Sequence, residues 1–197
     1  MQRRTHLTIL ASLMLTTGLA FAADPIKIGV TGPYTGGSSS MGVSMRDGVK
    51  LAISEINKAG GVLGRQLQAV ERDDEAKNER GVQIAQELIN KEKVVATLGF
   101  INTGVALASQ RFYQEAKIPV FNNVATGSIV TQQFKAPEFP DNYIFRNAAH
   151  DSIQAPMIVE EAIGRRGFKK VAILADSTNY GQQGRWRAGP SAASRRA

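Results

Sequence analysis

The chain has 197 residues, 43% hydrophobic and 21% charged, which is typical of one or two globular domains and not of a fibrous or disordered chain. Its net charge of +7 would favour a nucleic-acid partner, but six of the 24 basic residues lie in residues 1–22 and 185–197, which contain no acid. The segment between them carries 18 basic and 17 acidic residues, so we expect no nucleic-acid partner.

The first 22 residues have the features of a secretory signal peptide. Arg3 and Arg4 precede an apolar run over residues 7–19, and the small-x-small tripeptide AFA ends at Ala22. The run is shorter than the roughly 20 residues that a membrane-spanning helix needs. The chain has no cysteine, which excludes disulfides and a lipid-modified cysteine after the signal. We expect a soluble periplasmic protein whose signal is cleaved after Ala22.

Strand-like and helix-like blocks alternate after the signal. The β-branched run IKIGVTG (residues 26–32) predicts a strand. In the next block Val49, Ala52, Ile53 and Ile56 recur at i, i+3, i+4 and i+7, which predicts a helix with one apolar stripe facing a core. Further strands are predicted over residues 65–74, 94–100, 118–123, 143–146 and 169–176, and further helices over 78–93, 103–116 and 152–167.

The predicted strands are apolar throughout instead of alternating, which is typical of a parallel sheet covered on both faces. We therefore predict an α/β fold with doubly wound parallel sheets. The loop-rich segment 131–151 contains two prolines and interrupts the alternation, so two lobes are expected, divided near Asn147.

Ligands of doubly wound sheets bind in loops at the carboxyl ends of strands. The first such loop, TGPYTGGSSSMG (residues 31–42), is glycine-rich, but Ser38 follows Gly37 where a Walker phosphate loop needs lysine. Nor do its glycines fit the Gly-x-Gly-x-x-Gly pattern of dinucleotide-binding proteins. Nucleotide binding is therefore disfavoured, and the serines remain as helix caps or as donors to a small anion.

Polar turns follow the third and fourth predicted strands. Asn102 and Thr103 precede a helix, where a carboxylate would meet free backbone N–H groups; alternatively, Thr103 simply caps the helix. The second turn, in FNNVATGS (residues 121–128), contains Thr126. Two such turns on neighbouring strands could converge on one small polar ligand.

Catalytic and metal-binding patterns are absent from the sequence. His150 is the only histidine outside the signal, no cysteine accompanies it, and no Gly-x-Ser-x-Gly elbow occurs. The charged run ERDDEAKNER (residues 71–80) is interpreted as a solvated turn and not as paired catalytic carboxylates. We expect no enzyme activity, no metal and no cofactor.

Four blocks of the sequence resemble one family when they are taken together. They are IKIGVTGPYTGGSSSMGVSMRDGVKLAISEIN, GRQLQAVERDDEAKNERGVQIAQELI, GFINTGVALASQRFYQEAKIPVFNNVATGS and VAILADSTNYGQQG, in that order between residues 24 and 184. This arrangement resembles the periplasmic substrate-binding proteins of branched-chain amino acid (Leu/Ile/Val-type) ABC transporters. The resemblance implies a type I periplasmic binding protein fold, in which two hinged lobes close on a small ligand that is passed to a membrane permease.

The resemblance also implies particular ligand contacts. Met41 stands where some relatives place an aromatic residue, and Tyr180 matches a tyrosine that reaches the ligand from the second lobe. The implied contacts are Met41, Asn102, Thr103, Val124, Ala125, Thr126 and Tyr180. An amino acid or a related small carboxylate is the implied ligand, and the protein is expected to be a monomer.

The family pattern implies more chain after Tyr180, and residues 185–197 depart from it. Trp186 and Pro190 replace the apolar stripe of the expected helix, which suggests a frameshift or truncation that impairs ligand binding. The predicted organisation is signal 1–22, first lobe 23–146, start of a second lobe 147–184 and aberrant tail 185–197. The alternatives are a ligand-sensing receptor domain of the same fold and a nucleotide-dependent α/β enzyme.

Overall fold

The computed structural model describes residues 24–184, so the predicted signal and the predicted aberrant tail lie outside the described residues. The strands are β1 (Ile26–Gly32), β2 (Leu67–Asp73), β3 (Ala96–Gly99), β4 (Val120–Asn122) and β5 (Ile144–Arg146). The helices are α1 (Ser39–Lys58), α2 (Asn78–Glu87), α3 (Thr103–Glu115) and α4 (Asp151–Val159). Single π-helical turns extend α2 over Leu88–Glu92 and α4 over Glu160–Arg165, and residues 179–184 are also helical.

All five strands are parallel and form one sheet in the order β2-β1-β3-β4-β5. Gly29 of β1 lies opposite Val70 on one side and Thr97 on the other. Helix α1 contacts β1 and β2 from one face, whereas α2 and α3 pack together on the opposite face. The predicted α/β fold with a doubly wound parallel sheet is therefore confirmed.

The core lies between the sheet and the α2–α3 pair. Two strand residues that point to this face, Val120 and Ile144, are 0% and 2% exposed. Tyr113 of α3 is fully buried and meets the Phe100 ring edge-on. The buried apolar cluster comprises Ala85, Phe100, Val105, Ala106, Tyr113, Val120, Ala125, Val130, Phe134 and Ile144. Burial of this side chain set supplies the main driving force for folding.

The opposite face of the sheet is only partly covered by the described residues. Phe121 of β4 is 41% exposed and Phe145 of β5 is 44% exposed, and their rings stack at 5.3 Å. Within α1 only Gly42 is fully buried, although Val49 and Ile53 are partly covered against the sheet. The prediction of a sheet covered on both faces holds over β1 and β2, but on the α1 side it is wrong over β4 and β5.

The sixth predicted strand, over residues 169–176, is not formed. These residues have no regular secondary structure, and Val171 and Leu174 are 54% and 99% exposed. A strand needs a neighbour for its N–H and C=O groups, and no described strand lies beside this segment. The apolar pattern alone therefore gave a wrong prediction here. None of the helices between residues 24 and 184 is long and apolar enough to cross a membrane.

Candidate ligand-binding site

The loops that follow β1 to β4 meet at the carboxyl edge of the sheet, where parallel strands place their ends together. With residues 176–180 they line an open cleft of about 890 Å³. Six of the seven predicted ligand contacts line this cleft, namely Met41, Asn102, Thr103, Val124, Thr126 and Tyr180. Met41 and Tyr180 are each 48% exposed. The structure therefore brings these six residues together, and their contact with a ligand stays a prediction.

The amino end of α3 opens into the cleft. Asn102 is extended (φ −97°) and its Nδ2 donates to the Ser38 hydroxyl at 3.3 Å, so its side chain does not cap the helix. The first N–H groups of a helix have no partner within it and carry a partial positive charge. No acidic side chain occupies the first turn of α3. This end of α3 is therefore suited to a carboxylate.

Thr103 is the first residue of α3 and is 2% exposed. Its Oγ1 accepts a hydrogen bond from the Gly127 N–H at 3.3 Å, so the interpretation of Thr103 as a simple helix cap is wrong. A Cβ on Gly127 would lie 2.5 Å from the Thr103 Cγ2, so only glycine permits this approach. The contact joins the two predicted polar turns, which do converge.

The turn after β4 offers two acceptors to the cleft. The Ala125 N–H donates to the Phe100 carbonyl at 2.9 Å, and Asp151 N–H donates to the Thr126 carbonyl at 3.0 Å. Within residues 24–184 no hydrogen bond reaches the Val124 carbonyl or the Thr126 hydroxyl. These two oxygens are therefore available to a ligand that donates hydrogen bonds.

Ala125 is the one predicted contact that does not line the cleft. It is 1% exposed and packs in the core cluster. Its carbonyl accepts a hydrogen bond from Arg146, and its N–H is bonded to Phe100, so both of its backbone groups are engaged. The structure places its side chain among the core residues, and this correction removes Ala125 from the cleft lining.

Asn102 also carries an acceptor without a partner. Its Oδ1 is buried, and no hydrogen bond to it is made by the part of the chain that the structure describes. A buried carbonyl oxygen that lacks a donor is unfavourable by about 1–3 kcal/mol. A ligand ammonium or hydroxyl in the cleft would satisfy such an oxygen.

The loop between β2 and α2 contributes residues that the sequence did not identify. Ala76, Lys77, Asn78 and Glu79 line the cleft. Asp74 holds this loop, since it is fully buried and its Oδ1 accepts the Ala76 N–H at 2.9 Å. The interpretation of residues 71–80 as a solvated charged turn is therefore wrong for Asp74. The usable signal was the Asp-Asp pair, because aspartate side chains favour such turns by bonding backbone two residues on.

The pKa values of the two adjacent aspartates are shifted in opposite directions. Burial raises the pKa of Asp74 to about 6, against the opposing effect of its bond from Ala76. Partial burial also disfavours the charge of Asp73, but three hydrogen bonds outweigh it and hold the pKa of Asp73 below its usual value. Those bonds come from the Thr35 hydroxyl at 2.7 Å and the amides of Tyr34 and Glu75 at 2.8 and 2.9 Å. Asp73 thus ties the first loop to the second.

The structure shows no metal-binding cluster among residues 24–184. No group of three His, Cys, Asp or Glu side chains in that range is placed to hold a metal ion. His150 lies at the start of α4 against the Ser152 hydroxyl and does not line the cleft.

A family model described as periplasmic binding protein matches residues 25–194. The chain belongs to the periplasmic binding protein family. The match covers most of the chain and all five strands, and it agrees with the open cleft at the carboxyl edge of the sheet. The resemblance seen in the sequence is therefore confirmed, and so is the prediction that this binding protein is not an enzyme.

Similar proteins include Leu/Ile/Val-type binding proteins. The leucine-, isoleucine-, valine-, threonine- and alanine-binding protein of Pseudomonas aeruginosa is 30% identical over 182 residues, which are 92% of this chain and 47% of that protein. The branched-chain amino acid transporter substrate binding protein LivJ from Streptococcus pneumoniae, in complex with isoleucine, is 25% identical with a TM-score of 0.75. The similarity covers 85% of this chain and 46% of LivJ.

A further solved structure differs in its ligand. A solute binding protein of an ABC transporter from Rhodopseudomonas palustris, in complex with 3,4-dihydroxybenzoic acid, is 30% identical with a TM-score of 0.72. The similarity covers 87% of this chain and 44% of that structure. This periplasmic binding protein chain therefore spans about half the length of the relatives that it matches.

Proposed function

We propose that the chain is part of an exported solute-binding component of an ABC importer for branched-chain amino acids or related small carboxylates. Residues 23–146 form the first ligand-binding lobe and residues 147–184 begin the second. The signal is cleaved after Ala22, and the membrane permease of the importer is the partner that receives the ligand. Family membership supports this proposal, together with the Leu/Ile/Val-type relatives.

One observation carries the proposed chemistry. Hydrogen-bond donors and acceptors lie side by side in the cleft, as the two charged groups of an amino acid require. The amino end of α3, with Thr103, presents donors for a carboxylate. The Val124 carbonyl and the Thr126 hydroxyl present acceptors for an ammonium group. The bond from Gly127 to Thr103 holds the two sets together. An α-amino acid carries both charged groups on one carbon and matches this pairing.

The ligand side chain would lie toward Met41 and Tyr180, which supply apolar and aromatic surface. The ligands of the two similar structures share a carboxylate, but only isoleucine also carries an ammonium group. An aromatic acid is therefore the second candidate ligand. The acceptors on Val124, Thr126 and Asn102 favour the amino acid, because its ammonium is attached to the same carbon as its carboxylate, whereas the hydroxyl donors of dihydroxybenzoate lie across the ring from its carboxylate.

The test uses the full chain and ligands that each lack one charged group. Ligand-observed NMR and calorimetry compare L-leucine with 4-methylpentanoate, which lacks the ammonium, and 3-methylbutylamine, which lacks the carboxylate. 3,4-Dihydroxybenzoate and NAD complete the panel. We expect L-leucine to bind best, with each truncated analogue weaker by roughly tenfold or more, the equivalent of about 1.4 kcal/mol. Tighter binding of dihydroxybenzoate than of L-leucine would indicate that the ligand is an aromatic acid. Binding of NAD alone would contradict the proposed function.

A matched variant shows where the ligand binds. Thr126→Val removes the available hydroxyl while keeping the shape of the side chain. We expect it to weaken L-leucine binding and leave 4-methylpentanoate binding nearly unchanged. Thr178→Val at the other rim of the cleft is the control, since the Thr178 hydroxyl is bonded to Asp176. Equal effects of the two substitutions on L-leucine binding would contradict the proposed placement of the ammonium.

A further inference from the structure

Arg146 ends β5 beside the loop that follows β4. Its partly buried guanidinium makes three hydrogen bonds, all to that loop. Nη2 donates to the Gly127 carbonyl at 2.7 Å, Nη1 to the Ala125 carbonyl at 3.3 Å and Nε to the Thr131 hydroxyl at 3.1 Å. A guanidinium presents its donors in a rigid fork, so one side chain fixes three points of residues 125–131.

The charge of Arg146 is balanced by carbonyl dipoles and not by a carboxylate in direct contact. No ion pair joins it to any acidic residue in the described range, 24–184. Burial lowers the pKa of Arg146, and the charge of Asp151 opposes that effect. Withdrawing a cation from water is unfavourable unless hydrogen bonds compensate it. The position of Arg146 is therefore tied to the loop that it holds.

The loop is held from the same side at a further point. The Asp151 N–H, at the start of α4, donates to the Thr126 carbonyl at 3.0 Å. Three consecutive carbonyls, those of Ala125, Thr126 and Gly127, thus accept bonds from residues 146–151. Because these three oxygens already accept hydrogen bonds, the Val124 carbonyl and the Thr126 hydroxyl are the acceptors of the turn that remain available in the cleft.

We propose that Arg146 is a positioning residue for the ammonium half of the site, an inference that rests on the proposed function. Arg146 does not line the cleft and acts through the backbone of the turn. By holding the Ala125 and Gly127 carbonyls it keeps the Val124 carbonyl and the Thr126 hydroxyl directed at the ligand. The amino end of α3 receives no bond from Arg146 and contacts the turn through the Gly127–Thr103 bond, so the carboxylate half depends on Arg146 less directly than the ammonium half.

This division gives a readout that a general loss of structure would not produce. In the full chain, Arg146→Ala and Arg146→Lys are compared with Arg111→Ala, which removes an exposed arginine of α3 paired with Glu115 at 3.7 Å. We expect Arg146→Ala to weaken L-leucine binding by on the order of tenfold and 4-methylpentanoate binding by about twofold or less. Arg146→Lys keeps the charge without the fork and should fall between Ala and wild type. Arg111→Ala should change the binding of neither ligand.

Rescue provides a second measurement. Low millimolar ethylguanidinium should restore L-leucine binding to Arg146→Ala, because it can occupy the vacated space and bond the same carbonyls. It should not change the Arg111→Ala protein. Equal weakening of both ligands, or no weakening of either, would overturn the proposal, and so would the absence of rescue.

Failure of this inference is distinguishable from failure of the proposed function. If the wild-type chain binds no L-leucine, the proposed function fails, and hydrogen exchange of the backbone amides then tests Arg146 alone. We expect the Ala125 and Gly127 amides to exchange faster in Arg146→Lys and Arg146→Ala, while amides within α1 keep their wild-type rates. Unchanged exchange at Ala125 and Gly127 would overturn the positioning role. If Arg146→Ala does not fold, the Lys variant carries both measurements.

Discussion

The Gly127 amide donates to the Thr103 hydroxyl across a 3.3 Å contact that joins the amino end of α3 to the turn after β4. Both residues are buried, and they lie 24 positions apart in the chain. The contact brings the donor half and the acceptor half of the cleft into one rigid unit. The pairing of these two turns therefore uses the Thr103 hydroxyl beside the Ala125–Phe100 backbone bond, and it requires the lack of a side chain at residue 127.

Replacing Thr103 by valine tests this connection. The substitution keeps the side-chain shape but leaves the buried Gly127 N–H without an acceptor, which costs about 1–3 kcal/mol. We expect the free energy of unfolding, measured by urea titration, to fall by that amount and L-leucine binding to weaken. Thr103→Ser keeps the hydroxyl and should retain most of both. A serine variant that is as impaired as the valine variant would show that the methyl packing of Thr103 matters more than the hydrogen bond.

Asp74 predicts a dependence of stability on pH. Its pKa is about 6 in the folded chain against an ordinary value of 3.8, because burial disfavours the carboxylate. The folded state thus binds more protons than the unfolded state between pH 4 and pH 6. The contribution of Asp74 to stability is fully present below about pH 4 and is lost as the pH rises through about 6. Two pKa units correspond to on the order of 2–3 kcal/mol.

The difference between wild type and Asp74→Asn isolates this group from other titrating residues. We expect the wild-type free energy of unfolding to decline relative to the asparagine variant from pH 4 to pH 7, as measured by urea titrations at unit intervals. A difference that stays flat from pH 4 to pH 7 would mean that burial does not raise the pKa of Asp74 in the folded chain.

Much of the fold followed from local sequence patterns, because strands and helices of this class are marked by the spacing of apolar residues. The runs that form β1 and β3 and the turns at Thr103 and Thr126 were identifiable for that reason. The burial of Asp74 was not, because its hydroxyl partner Thr31 lies 43 residues away at 3.5 Å. The hydrogen bond from Arg146 to the Gly127 carbonyl was not identifiable either, since 19 residues separate the two.

Two errors of the sequence interpretation share one cause. An apolar run states that a segment can be buried, but it does not state what covers it. Residues 169–176 have the composition of a strand without a neighbouring strand among the described residues, and Phe121 and Phe145 have apolar side chains without a covering helix there. Coverage is a property of the whole assembly of elements, so periodicity could not supply it.

The two faces of β5 predict unequal effects from neighbouring substitutions. Ile144 is 2% exposed on the α3 side, whereas Phe145 is 44% exposed on the other. Ile144→Ala should lower the free energy of unfolding by about 2–5 kcal/mol, because it removes core packing and leaves a cavity. Phe145→Ala removes a larger side chain yet should cost less, since it was already partly in water. Urea titrations of both variants decide this, and a greater loss from Phe145→Ala would show that the open face is covered in solution.

The exposed phenylalanines also predict how the chain behaves toward apolar probes. Contiguous exposed apolar surface binds hydrophobic dyes and promotes association. We expect the double substitution of Phe121 and Phe145 by serine to reduce fluorescence of the dye ANS and to narrow the elution profile in gel filtration. Replacing the 95% exposed Leu63, which lies outside this surface, by serine is the control and should leave both measurements unchanged. Equal dye binding by all three proteins would contradict an accessible Phe121–Phe145 surface.

Gly81 sets how closely α2 approaches α3. A Cβ at this buried position would lie 2.5 Å from the Val105 Cγ1, which is itself fully buried. Gly81→Ala should therefore destabilise the chain by about 1–3 kcal/mol through overpacking. This loss is expected even though the helix propensity of alanine is more favourable than that of glycine by about 1 kcal/mol. Gly48→Ala in α1 is the matched control, because nothing lies within 4 Å of its Cβ, and it should stabilise the chain. Combining Gly81→Ala with Val105→Ala should cost less than the sum of the two single changes in urea titrations, and strict additivity would contradict the inferred contact.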